Sequence, residues 1–328
     1  MKEFNFSGAG QGAPDAAFHH GEMAAQERAG MREKMAGIGP KVIRNFMPEQ
    51  HREFFAQLPF IVVGTQDAVG LPQASILVGN PGFVTSPDER RLQIHAAPLP
   101  GDPAAVNFHA GAPVGLLGIE PHTRRRNRAN GVIGATDGQA MEIDILQSFG
   151  NCPKYIQARV AAPARPADYP APVIEAGLLN AAMRALIAKA DTFFIATAVN
   201  SETQGRHGAD VSHRGGKPGF VRLGKDAQGA DTLTVPDFIG NSFFNTIGNL
   251  LVHPYAGLLF PDFERGDLLY LAVHAEIIWE GEEVATYAGA QRLLRLTLRH
   301  ARLTPAALPL RWGPAEQSPF LNATGGWH

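Results

Sequence analysis

The tetrapeptide Pro81-Gly82-Phe83-Val84 recurs as Pro218-Gly219-Phe220-Val221, and this repetition decides how the fold is interpreted. A serine precedes each copy at the same distance, because Ser75 and Ser212 are separated by the same interval as the tetrapeptides (212 − 75 and 218 − 81). A four-residue match alone is weak in a chain with 36 glycines and 25 prolines. Two landmarks at one offset favour the duplication of a whole domain.

Further landmarks surround this pair. Each copy opens with an apolar run, at 60–65 and 194–198, and later contains Gly-Leu-Leu, at 115–117 and 257–259. The offset of the second landmark (257 − 115) is slightly larger, which a few loop insertions explain. The repeat therefore extends from about residue 60 to 133 in the first copy and from 194 to 278 in the second.

The composition is that of a soluble globular protein, since 45% of the 328 residues are hydrophobic and 18% are charged. This length accommodates two domains with separate cores. A formal net charge of −2 argues against broad attraction to nucleic acid or an anionic membrane. The sequence contains neither an apolar run of the ~20 residues that a membrane span requires nor a signal peptide. The single cysteine, Cys152, fits a reducing compartment, so we expect a cytoplasmic protein.

Short strands punctuated by Gly and Pro dominate both copies. In the first copy we predict strands at 60–65, 72–79, 90–96, 113–119, 124–135 and 139–147, and in the second at 192–199, 208–213, 219–223, 231–235, 254–260, 267–279 and 292–299. This pattern predicts a mainly β fold of two packed β-barrels with accessory helices. A Rossmann fold is disfavoured, because no Gly-x-Gly-x-x-Gly joins a strand to a helix.

Helices are predicted at the borders of the copies and within them, at 24–35, 51–58, 102–109, 177–190 and 241–251. Residues 1 to about 20 are rich in Gly, Ala and Pro, and we expect an arm without a core there. The predicted domains are an N-terminal arm and helix (1–47), a first barrel (48–160), a Pro-rich linker (161–175), a second barrel (176–312) and a C-terminal tail (313–328).

The densest chemical signal is Arg-Arg-Arg-Asn-Arg-Ala-Asn-Gly at 124–131. On a strand, Arg124, Arg126 and Arg128 share one face, roughly 6 to 7 Å apart. Such a row suits a phosphate or another oxyanion, because each guanidinium offers paired donors and stays charged. The alternative is a solvated edge strand whose arginines oppose aggregation. The corresponding strand of the second copy, at 268–274, has no arginine, which suggests a task given to one copy only.

The second copy also joins hydroxyl, cationic and flexible backbone groups in one predicted turn at 210–219. Ser212, His213 and Arg214 can wrap a phosphate there, and an ordinary hairpin turn is the alternative. Asn241 follows a strand end, where it either caps a helix or leaves backbone N–H groups to meet an anion. After the first copy, Lys154 and Tyr155 place a cation beside an aromatic ring at a Gly-Pro bend.

Other side chains indicate neither a metal site nor a hydrolase. The 12 histidines show no metal-binding spacing, and the sequence has no Gly-x-Ser-x-Gly and no Walker loop. Cys152 is interpreted as a packed side chain rather than a nucleophile, because no activating base is identifiable. No catalytic residue is assigned.

Together these motifs resemble the flavin-binding split-barrel proteins related to pyridoxamine 5'-phosphate oxidase. The likeness covers most of residues 50–300, and three segments carry it. They are the arginine strand at 124–131, Phe-Gly-Asn-Cys-Pro-Lys-Tyr-Ile-Gln at 149–157, and Ser-x-Arg-Gly-x-x-Pro-Gly-Phe-Val at 212–221 with Gly240-Asn241. The resemblance implies six-stranded split barrels, usually paired as a homodimer with FMN between the subunits. With both barrels in one chain, it implies two tandem FMN-binding split barrels that form an internal pseudo-dimer.

The resemblance also implies a composite flavin site, with the arginine strand from one copy and the Ser212 segment, the strand end at 235–236 and Asn241 from the other. The predicted cofactor-binding residues are Arg124, Arg126, Arg128, Lys154, Tyr155, Ser212, His213, Arg214, Val235, Pro236 and Asn241. The chain departs from the oxidase itself at 98–101, where Pro-Leu-Pro-Gly replaces a phosphate-binding Ser-Arg-Lys segment. Oxidation of pyridoxamine phosphate is therefore not expected.

We expect an FMN-dependent oxidoreductase that transfers hydride or electrons between NAD(P)H and an unidentified small molecule, with the chemistry on the flavin. One alternative is a protein that holds flavin or a heme-type ligand without turnover. Nucleic-acid binding through the arginine strand ranks last, because the net charge is slightly acidic and aromatic residues are not interleaved with the arginines. No membrane partner is expected, and pairing of two chains as a homodimer stays open.

Overall fold

The chain folds mainly into antiparallel β-sheet. The computed structural model describes residues 17–164, 172–199 and 208–327. The strands of the first half are β1 (Phe60–Gln66), β2 (Pro72–Val78), β3 (Val84–Asp88), β4 (Arg91–Ile94), β5 (Pro113–Glu120), β6 (Arg125–Thr136) and β7 (Met141–Gly150). They form one sheet in the order β2-β1-β5-β6-β7-β4-β3.

The second half forms a sheet with the same strand order. Its strands are β8 (Ala161–Pro163), β9 (Ile174–Ala176), β10 (Thr192–Ala198), β11 (Ala209–Gly215), β12 (Arg222–Lys225), β13 (Asp231–Phe238), β14 (Tyr255–Pro261), β15 (Leu268–Ile278), β16 (Ala290–Thr304) and β17 (Leu310–Trp312). The order is β11-β10-β14-β15-β16-β13-β12, with β9 paired to β16, while β8 and β17 form a separate pair. In the described residues, the strand pairings close neither large sheet into a barrel.

The two sheets pack face to face because their central strands are apolar on both sides. In β1, Ile61 and Val63 face the core of the first sheet, whereas Phe60 and Val62 face a shared core between the sheets. In β10 the same alternation occurs at 193–196, with odd positions in the core of the second sheet and even positions in the shared core. Successive side chains of a strand point to opposite faces, so an unbroken apolar run buries both.

Two glycines let the sheets approach closely, in a reciprocal way. A Cβ on Gly115 of β5 would lie 2.6 Å from the Cα of Asp210 in β11, and one on Gly257 of β14 would lie 2.6 Å from the Cα of Gln73 in β2. The contacts are reciprocal because β5 and β14 hold the same place in their sheets, as do β2 and β11. Any side chain at either glycine would overlap backbone atoms of the other sheet.

The helices lie around the sheets. They are α1 (His20–Arg28), α2 (Arg32–Val42), α3 (Glu49–Ala56), α4 (Ala181–Lys189), α5 (Asn245–Val252) and α6 (Glu282–Ala285). The single helix predicted at 24–35 is wrong, because Gly30 adopts a left-handed conformation (φ 66°) and divides it in two. Among the residues described, no helix has both the length and the apolar character needed to cross a bilayer.

The N-terminal segment begins to pack earlier than the sequence predicts. Phe18 and His19 are only 3% and 4% exposed, so the expectation of a core-free arm up to about residue 20 is wrong for these positions. Phe18 packs against Phe243, and His19 caps α1 and contacts the Asn249 side chain. The rest of the predicted arm, 1–16, lies outside the described residues. Residues 165–171 of the predicted linker also lie outside the described residues. The linker residues on either side of them form β8 and β9.

Candidate functional site

A cleft of about 270 Å³ opens where β6 of the first sheet meets the second sheet. Its walls are the ends of β11 and β13, the start of β16, the first turn of α5 and the turn between α1 and α2. A smaller pocket of about 80 Å³ adjoins it. The two cavities share the residues Arg126, Cys152, His213, Arg214, Phe238 and Gly240. Both halves of the chain therefore contribute to one continuous site.

Arg128 reaches the cleft from β6 and is neutralised by the second sheet. Its guanidinium donates to Asp210 Oδ2 at 3.0 Å, to Asn245 Oδ1 at 3.0 Å and to Ser212 Oγ at 2.6 Å. The side chains of Arg128 and Asp210 are 5% and 6% exposed, so the pair is buried. Arg128 also lies over the Phe149 ring, 5.3 Å from its centroid. This arginine joins the two sheets as well as lining the cleft.

Arg126 lies two positions earlier on the same face of β6 but has no such neutralising partner. Its Nε donates to the carbonyl oxygen of Cys152 at 2.7 Å, and no carboxylate of the described residues forms an ion pair with it. Burial, and after it the positive charge of Arg128, lowers the pKa of Arg126 to about 10. Arg126 is therefore protonated at neutral pH, as an uncompensated charge that an anion in the cleft would stabilise.

The second sheet contributes a hydroxyl group and two further arginines. Arg214 of β11 and Arg292 of β16 both pair with Asp237 of β13, the latter at 3.2 Å between Nη1 and Oδ2. Ser212 Oγ accepts hydrogen bonds from Arg128 and, at 3.0 Å, from Thr246 Oγ1. The turn predicted over 210–219 is wrong for its first half, because β11 continues to Gly215.

The charged groups around the cleft leave a positive surplus. Four arginines face two carboxylates, so the formal surplus is two charges (4 − 2). The groups are Arg126, Arg128, Arg214 and Arg292 against Asp210 and Asp237. Burial raises the pKa of the neighbouring Glu22 to about 8, so this carboxyl is neutral at pH 7. A phosphate monoester carries −1.5 to −2 charges at that pH, which matches the surplus.

Several buried polar atoms around the cleft lack a hydrogen-bond partner, and most are obligate donors. They are the Nε atoms of Arg128, Arg214 and Arg292, the Nδ2 of Asn151 and the Nδ1 of His213. A buried donor without an acceptor costs about 1–3 kcal/mol, so native proteins contain few of them. All five belong to residues that line the cleft, so these polar groups have no partner among the described residues.

The N-terminus of α5 faces the same space. Its preceding residue, Phe244, is left-handed (φ 64°), and no side chain caps the helix. Asn245 and Thr246 of the first turn line the cleft. Asn241 is not the helix cap, because its Oδ1 accepts from the backbone N–H of Phe243 at 3.1 Å. Uncapped N–H groups carry partial positive charge, which adds to that of the arginines.

His213 lies at the junction of the two cavities and is a neutral imidazole. Burial, and then the charges of Arg126, Arg159 and Arg214, lowers the pKa of His213 well below 6.5. A neutral ring presents one donor and one acceptor nitrogen. His213 can therefore contact an uncharged polar part of a ligand but cannot neutralise a phosphate.

The structure brings nine of the eleven predicted site residues to the two cavities, and their role in binding stays a prediction. Six line the larger cavity, namely Arg126, Arg128, Ser212, His213, Arg214 and Asn241. Lys154, Tyr155 and Pro236 line the smaller one. Val235 is 1% exposed and belongs to the core of the second sheet. Arg124 precedes β6 in a left-handed conformation, and its guanidinium pairs with Glu316 at 2.8 Å, outside both cavities.

Several lining residues were not among the predicted site residues. Asp237 directly follows the predicted strand end at 235–236, and Arg292 begins the strand predicted at 292–299. Both could have been recognised as candidate site residues, because each is a charged residue at a strand position that faces inward. Asn245 and Thr246 could not be identified from the sequence, because the first turn of a helix is recognised as part of a site only when its surroundings are known.

No family model matches the chain, and no curated protein matches it. Solved structures that resemble it include a HupZ variant of Group A Streptococcus, with 14% identity and a TM-score of 0.30 over 38% of this chain and 99% of its own. A candidate pyridoxamine 5'-phosphate oxidase of Lactobacillus delbrueckii follows with 19% identity and a TM-score of 0.26, over 32% and 95%. The MrkH complex with c-di-GMP from K. pneumonia has 10% identity and a TM-score of 0.23, over 79% and 87%. These are weak likenesses, so the site is interpreted from its own geometry.

Proposed function

We propose that the protein is an FMN-binding flavoprotein that works as an oxidoreductase, with the cofactor in the cleft between the two sheets. The observation that carries the proposal is the uncompensated Arg126 in a cleft with two surplus positive charges. The 5'-phosphate of FMN supplies the missing negative charge and acceptors.

The same proposal includes an internal pseudo-dimer of two related split barrels. The shared strand order supports it. So do the reciprocal glycine contacts, Gly115 on Asp210 and Gly257 on Gln73, since a two-fold interface places each patch against its own counterpart. In such a pseudo-dimer the cleft corresponds to the site between the two subunits of a homodimer, but a single chain supplies both of its walls.

The chemistry of the cleft fits both ends of FMN. Arg126, Ser212 and the first turn of α5 provide donors for the phosphate. Phe238, Ile239 and Phe244 provide apolar surface for a planar ring. Small-molecule sites usually combine a mostly apolar lining with a few well-placed polar groups. His213 and Asn151 supply such groups, for the uncharged polar atoms of the ring or of the ribityl chain.

When bound, the flavin would supply the hydride or electron transfer, with NAD(P)H as the donor and a small molecule as the acceptor. The residues of the chain bind and orient it. The carboxylates Asp210 and Asp237 are held in ion pairs. Burial holds the pKa of His213 well below 6.5, which makes it a weak base, so we assign none of the three as a general acid or base. This arrangement leaves catalysis to the cofactor and to the positioning of the second reactant.

The test is to purify the protein and measure its affinity for FMN and for riboflavin, which lacks the phosphate. We expect a yellow protein, or one that becomes yellow with FMN, and at least tenfold weaker binding of riboflavin. Addition of NADH or NADPH without oxygen should bleach the colour. Colour without bleaching would leave a flavin-binding protein that uses another donor or none. A colourless protein that does not bind FMN would refute the proposal.

A further inference from the structure

An aromatic rim borders the smaller cavity. We define the aromatic rim by Tyr155, Phe238 and Phe320, together with Lys154 and Ile239. The Tyr155 ring lies 5.0 Å from that of Phe238 and 6.3 Å from that of Phe320, centroid to centroid. Phe320 is 43% exposed and Ile239 is 57% exposed. The rim therefore presents apolar surface to solvent beside the cleft, where a flat apolar molecule can pack.

The rim also carries a cation without an ion-pair partner. The Lys154 ammonium lies 5.4 Å from the centroid of the Phe320 ring, and no carboxylate of the described residues pairs with it. The arginines of the cavity wall, Arg126 and Arg214, are also positive. Asp237, which interacts electrostatically with Tyr155, is held by Arg214 and Arg292. The local charge therefore favours an anion.

The backbone holds the rim in place. Tyr155 is left-handed (φ 64°), a conformation that a residue with a bulky side chain adopts only when its surroundings impose it. Its hydroxyl donates to the Ile239 carbonyl oxygen at 3.1 Å. Gly215 at the end of β11 lies so close to the Tyr155 carbonyl that a Cβ there would be 2.0 Å from the oxygen. Conformational strain of this kind is often retained at binding sites.

We infer that the aromatic rim is the site of a second ligand, a planar aromatic anion that stacks on Phe320 and Tyr155 and places its negative group at Lys154. This inference rests on the proposed function. The two cavities share Arg126 and Phe238, so a molecule on the rim lies next to the molecule that occupies the cleft. NAD(P)H, through its adenine ring and its phosphates, and an aromatic acid as acceptor both combine a planar aromatic group with negative charge, and the experiment separates them.

The probes are naphthalene-2-sulfonate and its uncharged analogue 2-naphthol, titrated calorimetrically into the full chain with and without FMN. We expect the sulfonate to bind at one site per chain, at least tenfold more tightly than 2-naphthol. Lys154→Met should abolish this difference, and Phe320→Leu should weaken both probes severalfold. Lys41→Met removes an exposed lysine of α2 that lines neither cavity and should change nothing. Equal binding of both probes, or equal behaviour of Lys154→Met and Lys41→Met, would overturn the inference.

Competition then identifies the occupant. If NADH displaces the sulfonate, the rim takes the electron donor, and if it does not, the rim takes the other reactant. FMN affinity is measured separately on the same proteins. Because Phe320 lines neither cavity, Phe320→Leu should keep wild-type affinity for FMN. Loss of FMN binding in the wild type would refute the proposed function, whereas intact FMN binding with indiscriminate probe binding would refute only the rim.

Discussion

Arg126 and Arg128 lie on one face of one strand, but their environments give them opposite effects on stability. Arg128 is paired with the buried Asp210, so its removal leaves an uncompensated carboxylate. Within the part of the chain that the structure describes, the partly buried Arg126 has only a carbonyl partner, so its removal relieves an unpaired charge. Arg128 is therefore a structural arginine, whereas the charge of Arg126 is available to a ligand.

We expect Arg126→Met to weaken FMN binding by on the order of tenfold to a hundredfold, because a hydrogen bond to a charged group contributes about 1.5–3 kcal/mol. Its thermal stability without ligand should equal or exceed that of the wild type. Arg128→Met should instead destabilise the protein by about 3–5 kcal/mol, as expected for a broken buried ion pair. Denaturant unfolding and fluorescence titration measure the two effects. An Arg126→Met protein that is unstable but binds FMN normally would reverse the assignment.

Glu22 makes the stability of the wall between α1 and α5 depend on pH. Its carboxyl is buried and accepts from Asn245, which also contacts Arg128, and burial raises its pKa from 4.5 to about 8. The folded state therefore binds this proton more tightly than the unfolded state. The resulting stability is complete below pH 4.5 and is lost as the pH rises through about 8.

The comparison of wild type with Glu22→Gln tests this between pH 6.5 and about pH 9. His19, whose pKa burial lowers to about 4, and Asp102, whose pKa burial raises to about 6, change their contributions below that window. We expect the melting temperature of the wild type to fall relative to that of the variant as the pH rises. A constant difference between the two proteins across the window would show that Glu22 does not titrate there.

Strands of the two sheets approach each other closely where a glycine leaves room for the facing backbone. A methyl group on Gly115 would overlap backbone of β11, which carries Ser212 and Arg214 into the cleft. We expect Gly115→Ala to destabilise the protein by about 1–3 kcal/mol, as overpacking of a core does, and to weaken FMN binding by moving β11.

Gly177→Ala is the matched control, because no atom of the described residues lies within 4 Å of a Cβ at that position and its backbone is not left-handed. It should leave both the unfolding free energy and the FMN affinity within error of the wild type. If the two alanine variants unfold at the same denaturant concentration, the close packing of the sheets at Gly115 is not what fixes their position.

The elements themselves were largely predictable from the sequence, because strand patterns are local. The strands predicted at 60–65 and 192–199 correspond to β1 and β10 almost to the residue. The break between α1 and α2 was not foreseen, since isolated glycines are tolerated in helices and only the structure shows the left-handed Gly30. The short β3 was missed, because its sequence, Val-Thr-Ser-Pro-Asp, contains a proline and only one apolar residue of strand type.

The site was predictable only where its residues were conspicuous in the sequence. The arginines of 124–128 drew attention by their number, yet Arg124 lies outside the cleft because the turn at Pro121–Thr123 ends on it. Asp237 and Arg292 are separated by more than fifty positions and meet only through the pairing of β13 with β16. Such long-range partners have no local signature.

In the molecule as a whole, the proposed pseudo-dimer has two equivalent seams between its sheets. The first seam is the cleft at Arg126 and Arg128, the second is its counterpart at Leu268 and Tyr270, and the two differ in chemistry. Arg128 pairs with Leu117 across the first sheet, and the equivalent partner of Leu259 in the second sheet is Tyr270. Likewise Leu268 stands where the first sheet has Arg126. At the second seam Ser75 donates to the buried Asp102, so that seam carries a carboxyl where the first offers cations to a phosphate.

We therefore expect one FMN per chain rather than two. The measurement is the ratio of flavin released on denaturation to protein chains, determined by absorbance after saturation and removal of free ligand. Arg126→Met should lower the occupancy at limiting FMN, and Tyr270→Phe should not. A ratio near two would mean that the second seam binds flavin despite its different lining.

We propose that a phosphate-bearing planar ligand lies between the two sheets of one chain, and a crystal structure of the protein with FMN is the decisive experiment. We expect a single flavin in the cleft, its phosphate within hydrogen-bond distance of Arg126 and of Ser212 or the first turn of α5, and its ring towards Phe238. A flavin bound elsewhere, or a phosphate turned away from Arg126, would contradict it.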